Sequence, residues 1–468
     1  MIKKMRIILS CLFLIGLFIA TAEVKVNSLF SDHMILQKGV PVRVWGKAGE
    51  GEKVTVSFNG QKVSTITTNG KWMIKLSPMP YVLTPSTMTI SGENTIIIND
   101  ILVGENWLCS GQSNMERQLG PRPPQPLITD WEKERNAARY PLIREYYMPL
   151  DYSKSKVDDV KSSWTVCSPQ TVSDFSAIGY FFAKNLFIHM KVPVGIIFSA
   201  YGGTPAEDWT SQVALESNHR LSGLIRDYDK VTLSWKPKGK TLSGLYNGMI
   251  YPLTPFAIKG VVWYQGESNN DRPTQYQTIL TTMIENWRQD FKQGDIPFLI
   301  VQIAPNKDMS PEIRESQFLV QQQVKNTALI VTTDCGDAEN IHPSHKQPVG
   351  ERLAIAARAL AYKEEIEYAG PTYHSFQIKR NEIFIRFTHT GKGLKSKNNT
   401  VLKGFTIAGI DKKFVQATAF IKGNQVIVSN DQIKNPVAVR YGWANVPDVN
   451  LFNVEGMPAS PFRTDIDR

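Results

Sequence analysis

Five apolar runs, separated by helical patterns, constrain this chain more than any other feature of its sequence. The runs occupy residues 101–109, 192–199, 258–264, 296–304 and 328–333. Most are continuously apolar rather than alternating, which is the pattern of parallel strands buried on both faces. Between them, residues 175–189, 276–291, 311–325 and 349–362 space their apolar side chains as helices do, with Ser173 and Asp174 as capping candidates for the first. Strand, loop and helix in alternation predict a parallel sheet between two helical layers, a three-layer α/β/α sandwich.

The 468 residues exceed what one core supports, and the flanks read differently from the middle. Residues 24–100 alternate in short strands punctuated by Asn59-Gly60 and Asn69-Gly70, and residues from 366 onward return to the same rhythm. The expected organisation is an export signal at 1–22, an N-terminal β-sandwich module at 23–100, an α/β domain at 101–365 and a C-terminal β module at 366–468. The signal rests on Lys3, Lys4 and Arg6, the apolar run from Ile7 to Ala20, and the small residues Ala20-Thr21-Ala22. That run is short for a membrane span, and Cys11 falls too early in it for a good lipoprotein site. A mature chain without a membrane span, in the periplasm or outside the cell, is therefore expected.

Loss of the signal lowers the formal charge from +10 to +7. The excess is dispersed, with no basic-aromatic block of the kind that binds nucleic acid, so no nucleic-acid partner is expected. Cys109, Cys167 and Cys335 remain, an odd number that makes a poor disulfide framework and reads as buried free thiols.

The chemistry concentrates where the strands end. Gly111-Gln112-Ser113-Asn114-Met115 follows the first apolar run, and the C-terminal lip of a strand is where open α/β sheets present reactive groups. A serine hydroxyl needs a base and oxyanion donors. His342, in a loop after the last strand and stiffened by Pro343, is the best base, with His345 its near competitor. Gly202-Gly203 after the second strand offers close backbone N–H groups, and Gln265 after the third offers a side-chain amide. Glu267 stands without the second carboxylate a glycosidase requires and reads as a buried organiser of loops. Asp334, Asp337, His342 and His345 fit no standard metal spacing, so neither metal nor other cofactor is expected. A histidine base of ordinary pKa predicts activity that falls below roughly pH 6–6.5.

These residues also carry a resemblance. The blocks 111–115, Gly202-Gly203-Thr204 with Trp209, 245–250, 263–269, Ile341-His342-Pro343 with Lys346 and Gln347, and the tail 458–462 resemble the sialate O-acetylesterase family of the SGNH (GDSL-like) hydrolase superfamily over nearly the whole mature length. The resemblance implies an SGNH-type, flavodoxin-like sandwich with Ser113 as nucleophile and His342 as base. It implies oxyanion donors from the Ser113 backbone, the Gly202-Gly203 turn and Gln265, with Gln112 and Asn269 beside them around oxyanion and substrate. One departure stands out. The superfamily's aspartate three residues before the histidine is Glu339 here, and the position two before is Asn340. Glu339 is the expected orienter, with Asp334, Asp337 or a backbone carbonyl as alternatives, the last leaving a Ser-His dyad.

The implied partner is an O-acetylated sugar or glycan, most directly an O-acetylated sialic acid. Acetylated xylan or another polysaccharide is the alternative substrate, and an inactive carbohydrate-binding protein on the same scaffold is a third reading. Arg314 and the loop 120–125 are candidate contacts for a sialate carboxylate, weighed against a plain surface role.

Overall fold

The computed structural model describes residues 23–228 and 240–465; the expected export signal at 1–22 lies outside the described residues. The N-terminal strands are β1 (Lys25–Val26), β2 (Ile35–Gln37), β3 (Val42–Lys47), β4 (Lys53–Phe58), β5 (Gln61–Ile66), β6 (Lys71–Leu76), β7 (Val82–Ser91) and β8 (Thr95–Gly111). Alternation on β4 and β6 buries Val54, Val56, Phe58, Trp72, Ile74 and Leu76 on one face. Asn59-Gly60 and Asn69-Gly70 adopt positive φ throughout (47°, 75°, 53° and 69°), as tight hairpin turns require.

Strand β8 does not stop at the expected boundary near residue 100. Its first part pairs antiparallel with β7, and Leu102–Gly104 runs parallel to β2. Glu105 to Gly111 then pair with one strand of the central sheet, and Trp107 to Gly111 with a second on the other side. One extended segment of 17 residues thus joins the N-terminal strands to the α/β unit.

After β8 come α1 (Ser113–Glu116), α2 (Trp131–Ala137), β9 (Tyr140–Tyr147), β10 (Trp164–Cys167), α3 (Ala177–Met190), β11 (Val194–Ala200), α4 (Gln212–Ser217) and α5 (Ser222–Asp227). They are followed by β12 (Gly260–Tyr264), α6 (Pro273–Phe291), β13 (Phe298–Val301), α7 (Pro311–Gln323), β14 (Thr327–Ile330) and α8 (Gln347–Tyr362). The sheet order is β10-β9-β11-β8-β12-β13-β14. Every pairing is parallel except that of the edge strand β10 with β9. Along β8, Trp107 and Cys109 pack into the core shared with α3 and α8, while Leu108 packs into the core shared with α6. The expected three-layer α/β/α sandwich is therefore the architecture found. Cys109, Cys167 and Cys335 are buried free thiols, and desolvation raises all three, the last two to about 12.

Ser176, rather than Ser173 or Asp174, caps α3 by accepting from the Gly179 N–H at 3.1 Å. In the C-terminal region, a sheet of Thr372–Lys379, Glu382–Thr388, Gln425–Ser429 and Thr418–Lys422 shares one core with a sheet of Phe414–Gln416, Phe405–Ala408, Ala438–Tyr441 and Phe462–Arg463. Among the described residues no helix is long and apolar enough to cross a membrane.

The neighbours of β8, β11 and β12, both come later in the chain, so β8 ends at a topological switch point. There Gly111 pairs with Ala200 on one side and Tyr264 on the other. Its φ is +140°, and a Cβ would sit 2.1 Å from the Tyr264 carbonyl oxygen. Gly111→Ala is expected to destabilise the protein by about 2 kcal/mol or more, from backbone strain and overpacking together. Thermal unfolding of the purified variant checks this, and an unchanged Tm would refute it.

Candidate active site

The crevice at the switch point is built by three loops around α1. Gln112 leaves the sheet in an extended conformation, and Ser113 opens α1, partly exposed, between the buried Gln112 and Asn114. The buried neighbours fix the turn and leave the hydroxyl as the group presented. On the β11 side, Gly202 lies against the serine, where an added Cβ would be 3.1 Å from Ser113 Cβ. Gly203 takes φ +72°, which favours glycine. Thr204 anchors this turn by donating to the Tyr201 carbonyl at 2.7 Å and accepting from the Trp209 indole at 2.9 Å. Trp209 in turn packs edge-on against Trp263, with ring centroids 6.1 Å apart.

Two of the expected oxyanion donors are already engaged. The Gly202 N–H donates to Glu116 Oε2 at 2.7 Å, and Glu116 Oε1 accepts from Arg122 at 2.7 Å. The Gln265 amide, fully buried, donates to the Thr204 carbonyl at 3.2 Å and to Asn269 Oδ1 at 2.7 Å. Asn269 is buried as well, accepting from the Ala206 N–H and donating to Glu207 Oε2 at 2.9 Å. Gln112 turns its Oε1 to the N–H groups of Ser268 (3.1 Å) and Gly266 (3.5 Å). Gln112, Gln265 and Asn269 thus meet at the crevice as braces between its loops. Among the described residues the N–H groups of Ser113 and Gly203 have no hydrogen-bond acceptor.

The third loop follows β14 and carries His342. Asn114, the residue after Ser113, donates to the carbonyl of Ile341, the residue before His342, at 3.0 Å. This bond brings the serine and histidine loops together across 227 residues. The half-buried imidazole is held down to about 4, first by desolvation and then by the cations Lys346, Arg122 and Arg117. The ordinary pKa expected from sequence is corrected accordingly.

Glu339 does not orient His342 in this geometry. Its exposed carboxylate pairs with Lys307 at 2.6 Å, a residue the loop brings nearer than the imidazole. Asp334 is held in a two-oxygen pair with Arg352 (2.8 and 2.7 Å). Asp337 Oδ1 accepts from the loop N–H groups of Glu339 and Asn340, and Asn340 Oδ1 accepts from the backbone N–H of His342 at 2.9 Å. Among the described residues no carboxylate hydrogen-bonds the imidazole.

Arg314 is likewise corrected. It is neither exposed nor in the crevice, but fully buried on α7, donating to the carbonyls of Ala444 and Asn445. The sequence assigns no role to three polar residues of the crevice, Asn114, Glu116 and Lys346, while Arg122 enters there only as part of the loop 120–125. Only their membership in the blocks, or their nearness to Ser113, hints at a role, because burial of a lysine has no local sequence signal. Among the described residues no group of His, Cys, Asp and Glu side chains is arranged to hold a metal ion.

A parallel sheet between helices, with a serine at its switch point and a histidine loop bonded beside it, defines a carboxylic ester hydrolase of the SGNH type. The sequence profile described as carbohydrate esterase, sialic acid-specific acetylesterase matches residues 103–359, more than half of the chain. The chain belongs to that family. A carbohydrate acetylesterase from Xanthomonas citri superposes with a TM-score of 0.86 at 34% identity, covering 95% of this chain and 100% of the other. The sialate O-acetylesterase of Homo sapiens is 28% identical over 93% of this chain and 91% of its own length. That of Mus musculus is 29% identical over 94% of both.

Because Glu339 is spent on a surface lysine, Glu339→Gln is expected to keep esterase kcat/KM within about twofold of wild type. A loss of tenfold or more in hydrolysis of p-nitrophenyl acetate would mean that the carboxylate turns to His342 in the working enzyme.

Proposed function

We propose that this protein is an exported serine esterase that removes O-acetyl groups from sialic acids through an acetyl-enzyme. The observation that carries the catalytic part is the bond from Asn114 to the Ile341 carbonyl, which joins the Ser113 and His342 loops at the switch point. Ser113 Oγ attacks the acetyl carbonyl while His342 takes its proton. The N–H groups of Ser113 and Gly203 receive the oxyanion, and Gln112, Gln265 and Asn269 hold the loops that aim them. The protonated His342 gives its proton to the departing sugar alcohol. Water, deprotonated by the same base, then releases acetate.

Sialic acid is supported by the family description and by the names of the relatives. Export is supported by Lys3, Lys4 and Arg6 ahead of the apolar run 7–20. The test is acetate release from O-acetylated sialic acids and, in parallel, from acetylated xylan. The wild type should favour the sialic acids, and Ser113→Ala should lose about a thousandfold or more on either. Preference for xylan would overturn the substrate; equal rates in Ser113→Ala would overturn the nucleophile.

The pH profile follows from the surroundings of His342. The base must be neutral to accept a proton, and a folded-state value of about 4 keeps it neutral through the mildly acidic range. kcat/KM is therefore expected to stay flat down through roughly pH 6 and to fall only as pH drops through about 4. An acid limb centred near the ordinary histidine value would show that a carboxylate or water reaches the imidazole.

A further inference from the structure

Beside Ser113 and His342 lies a buried polar cluster to which the reaction above assigns no role. Asn114 is fully buried, and its Nδ2 donates to Glu267 Oε1 at 2.7 Å as well as to the Ile341 carbonyl at 3.0 Å. Its Oδ1 accepts from Lys346 Nζ at 2.5 Å. One side-chain amide therefore touches the turn after β12, the loop after β14 and the residue that caps α8. Lys346 is 1% exposed and lies over the Tyr264 ring, 5.4 Å from its centroid. Glu267 Oε2 is buried with no hydrogen-bond partner.

Such a cluster is costly. A desolvated ammonium and a desolvated carboxyl meet only through an amide, where apolar side chains of similar volume would fill the space at less expense in stability. Burial lowers Lys346 to about 7 and raises Glu267. Meanwhile the imidazole lacks a carboxylate partner, since Glu339, Asp334 and Asp337 are bound elsewhere. Something else must set the position of His342 relative to Ser113, and among the described residues the bond joining their chain neighbours is the one Asn114 makes.

We propose that Asn114 and Lys346 are positioning residues, which lock the histidine loop to the nucleophile's turn through the Ile341 carbonyl and so replace an orienting carboxylate on the imidazole. Below about pH 7, where Lys346 is protonated, it holds the Asn114 amide in the orientation that directs both N–H groups to Glu267 and Ile341, because an ammonium can only donate. Flipping the amide would set Nδ2 against the ammonium. The proposal rests on the Ser113–His342 reading. The titratable groups around the pair are few: His342 faces Lys346, Arg122 and Arg117, and Lys346 faces Glu267, Arg117 and the Cys335 thiol.

The test is steady-state hydrolysis of p-nitrophenyl acetate by the full chain and by Asn114→Asp and Lys346→Met, over roughly pH 3.5–8. Melting curves establish that each variant is folded. Asn114→Asp keeps the shape and the acceptor for Lys346 but loses both donated bonds. It is expected to lower kcat about 100-fold with KM within about twofold, since misplacement of the base costs the reacting step rather than binding. Lys346→Met is expected to lower kcat about tenfold or more and to move the acid limb to higher pH, because one of the cations opposing protonation of His342 is gone. If Lys346→Met does not fold, the kcat and KM of Asn114→Asp decide alone. Folded variants with kcat within about threefold of wild type and an unmoved acid limb would overturn the proposal. Ser113→Ala, assayed beside them, separates the two readings. If it stays active the nucleophile is wrong, whereas an inactive Ser113→Ala with unaffected positioning variants removes only this proposal.

Discussion

Strand β8 is held in two different sheets along its length, and the position of the active site follows from that sharing. Its first residues are fixed against β7 and β2, while Trp107 to Gly111 are clamped between β11 and β12. A slip by one residue would turn Trp107 and Cys109 from the α3–α8 layer to the α6 layer, so the register is set by two cores at once. The end of the strand is then determined to within one residue. Gly111 meets the Tyr264 backbone so closely that no side chain fits, and the next residues must leave the sheet. Ser113 stays partly exposed while its neighbours Gln112 and Asn114 are buried.

The electrostatics of the crevice follow from what the loops do with their carboxylates. Glu116 holds Gly202 and Arg122, Glu207 holds Asn269 and Arg272, and Glu339 holds Lys307. None of these three hydrogen-bonds the histidine. Arg117 is spent on backbone as well, donating to the carbonyls of Gln118, Gly120 and Pro126. It thereby folds the proline-rich loop over α1 while keeping a positive charge near His342. The base is consequently weak by the standards of a histidine partnered by aspartate. In the proposed reaction, proton transfer from Ser113 then depends more on geometry and oxyanion donors than on basicity.

The sheet itself was largely legible. Parallel strands buried on both faces have to be apolar, and β8, β11, β12, β13 and β14 announce themselves that way. Strands β9 and β10 do not. Tyr140–Tyr147 carries Pro141, Arg144 and Glu145, and it holds its place because Arg144 pairs with Asp100 and Glu145 accepts from the Ser176 N–H. Those partners are distant in sequence, so no local pattern reports them. The crevice was legible to a similar depth. Serine, glycine turn, glutamine and histidine could be placed at strand ends, because strand ends can be counted. Which amide faces the oxyanion and which braces a loop depends on the neighbour across the crevice. Gln265 donates to Asn269, which in turn donates to Glu207, an outcome that spacing alone does not encode. Glu339 fails for a related reason: its loop brings Lys307 within 2.6 Å, and the longer side chain follows the nearer charge.

The C-terminal region has a physical route to the histidine. Arg463 grips Glu315 of α7 through two bonds, at 2.8 and 2.9 Å, and buried Arg314 on the same helix holds the carbonyls of Ala444 and Asn445. Asn445 in turn donates to the Lys307 carbonyl at 2.6 Å. Lys307 and Asn306 bond the carbonyls of Asp337 and Ala338, which stand just before Asn340 and His342. Every link is a hydrogen bond to backbone or a charged pair, so the path transmits position. Asn114 and Lys346 meet the histidine loop from the sheet side, and the C-terminal strands meet it from the α7 side. A loop held from both directions keeps its imidazole in place without a carboxylate on the ring, and this is the arrangement the missing aspartate demands.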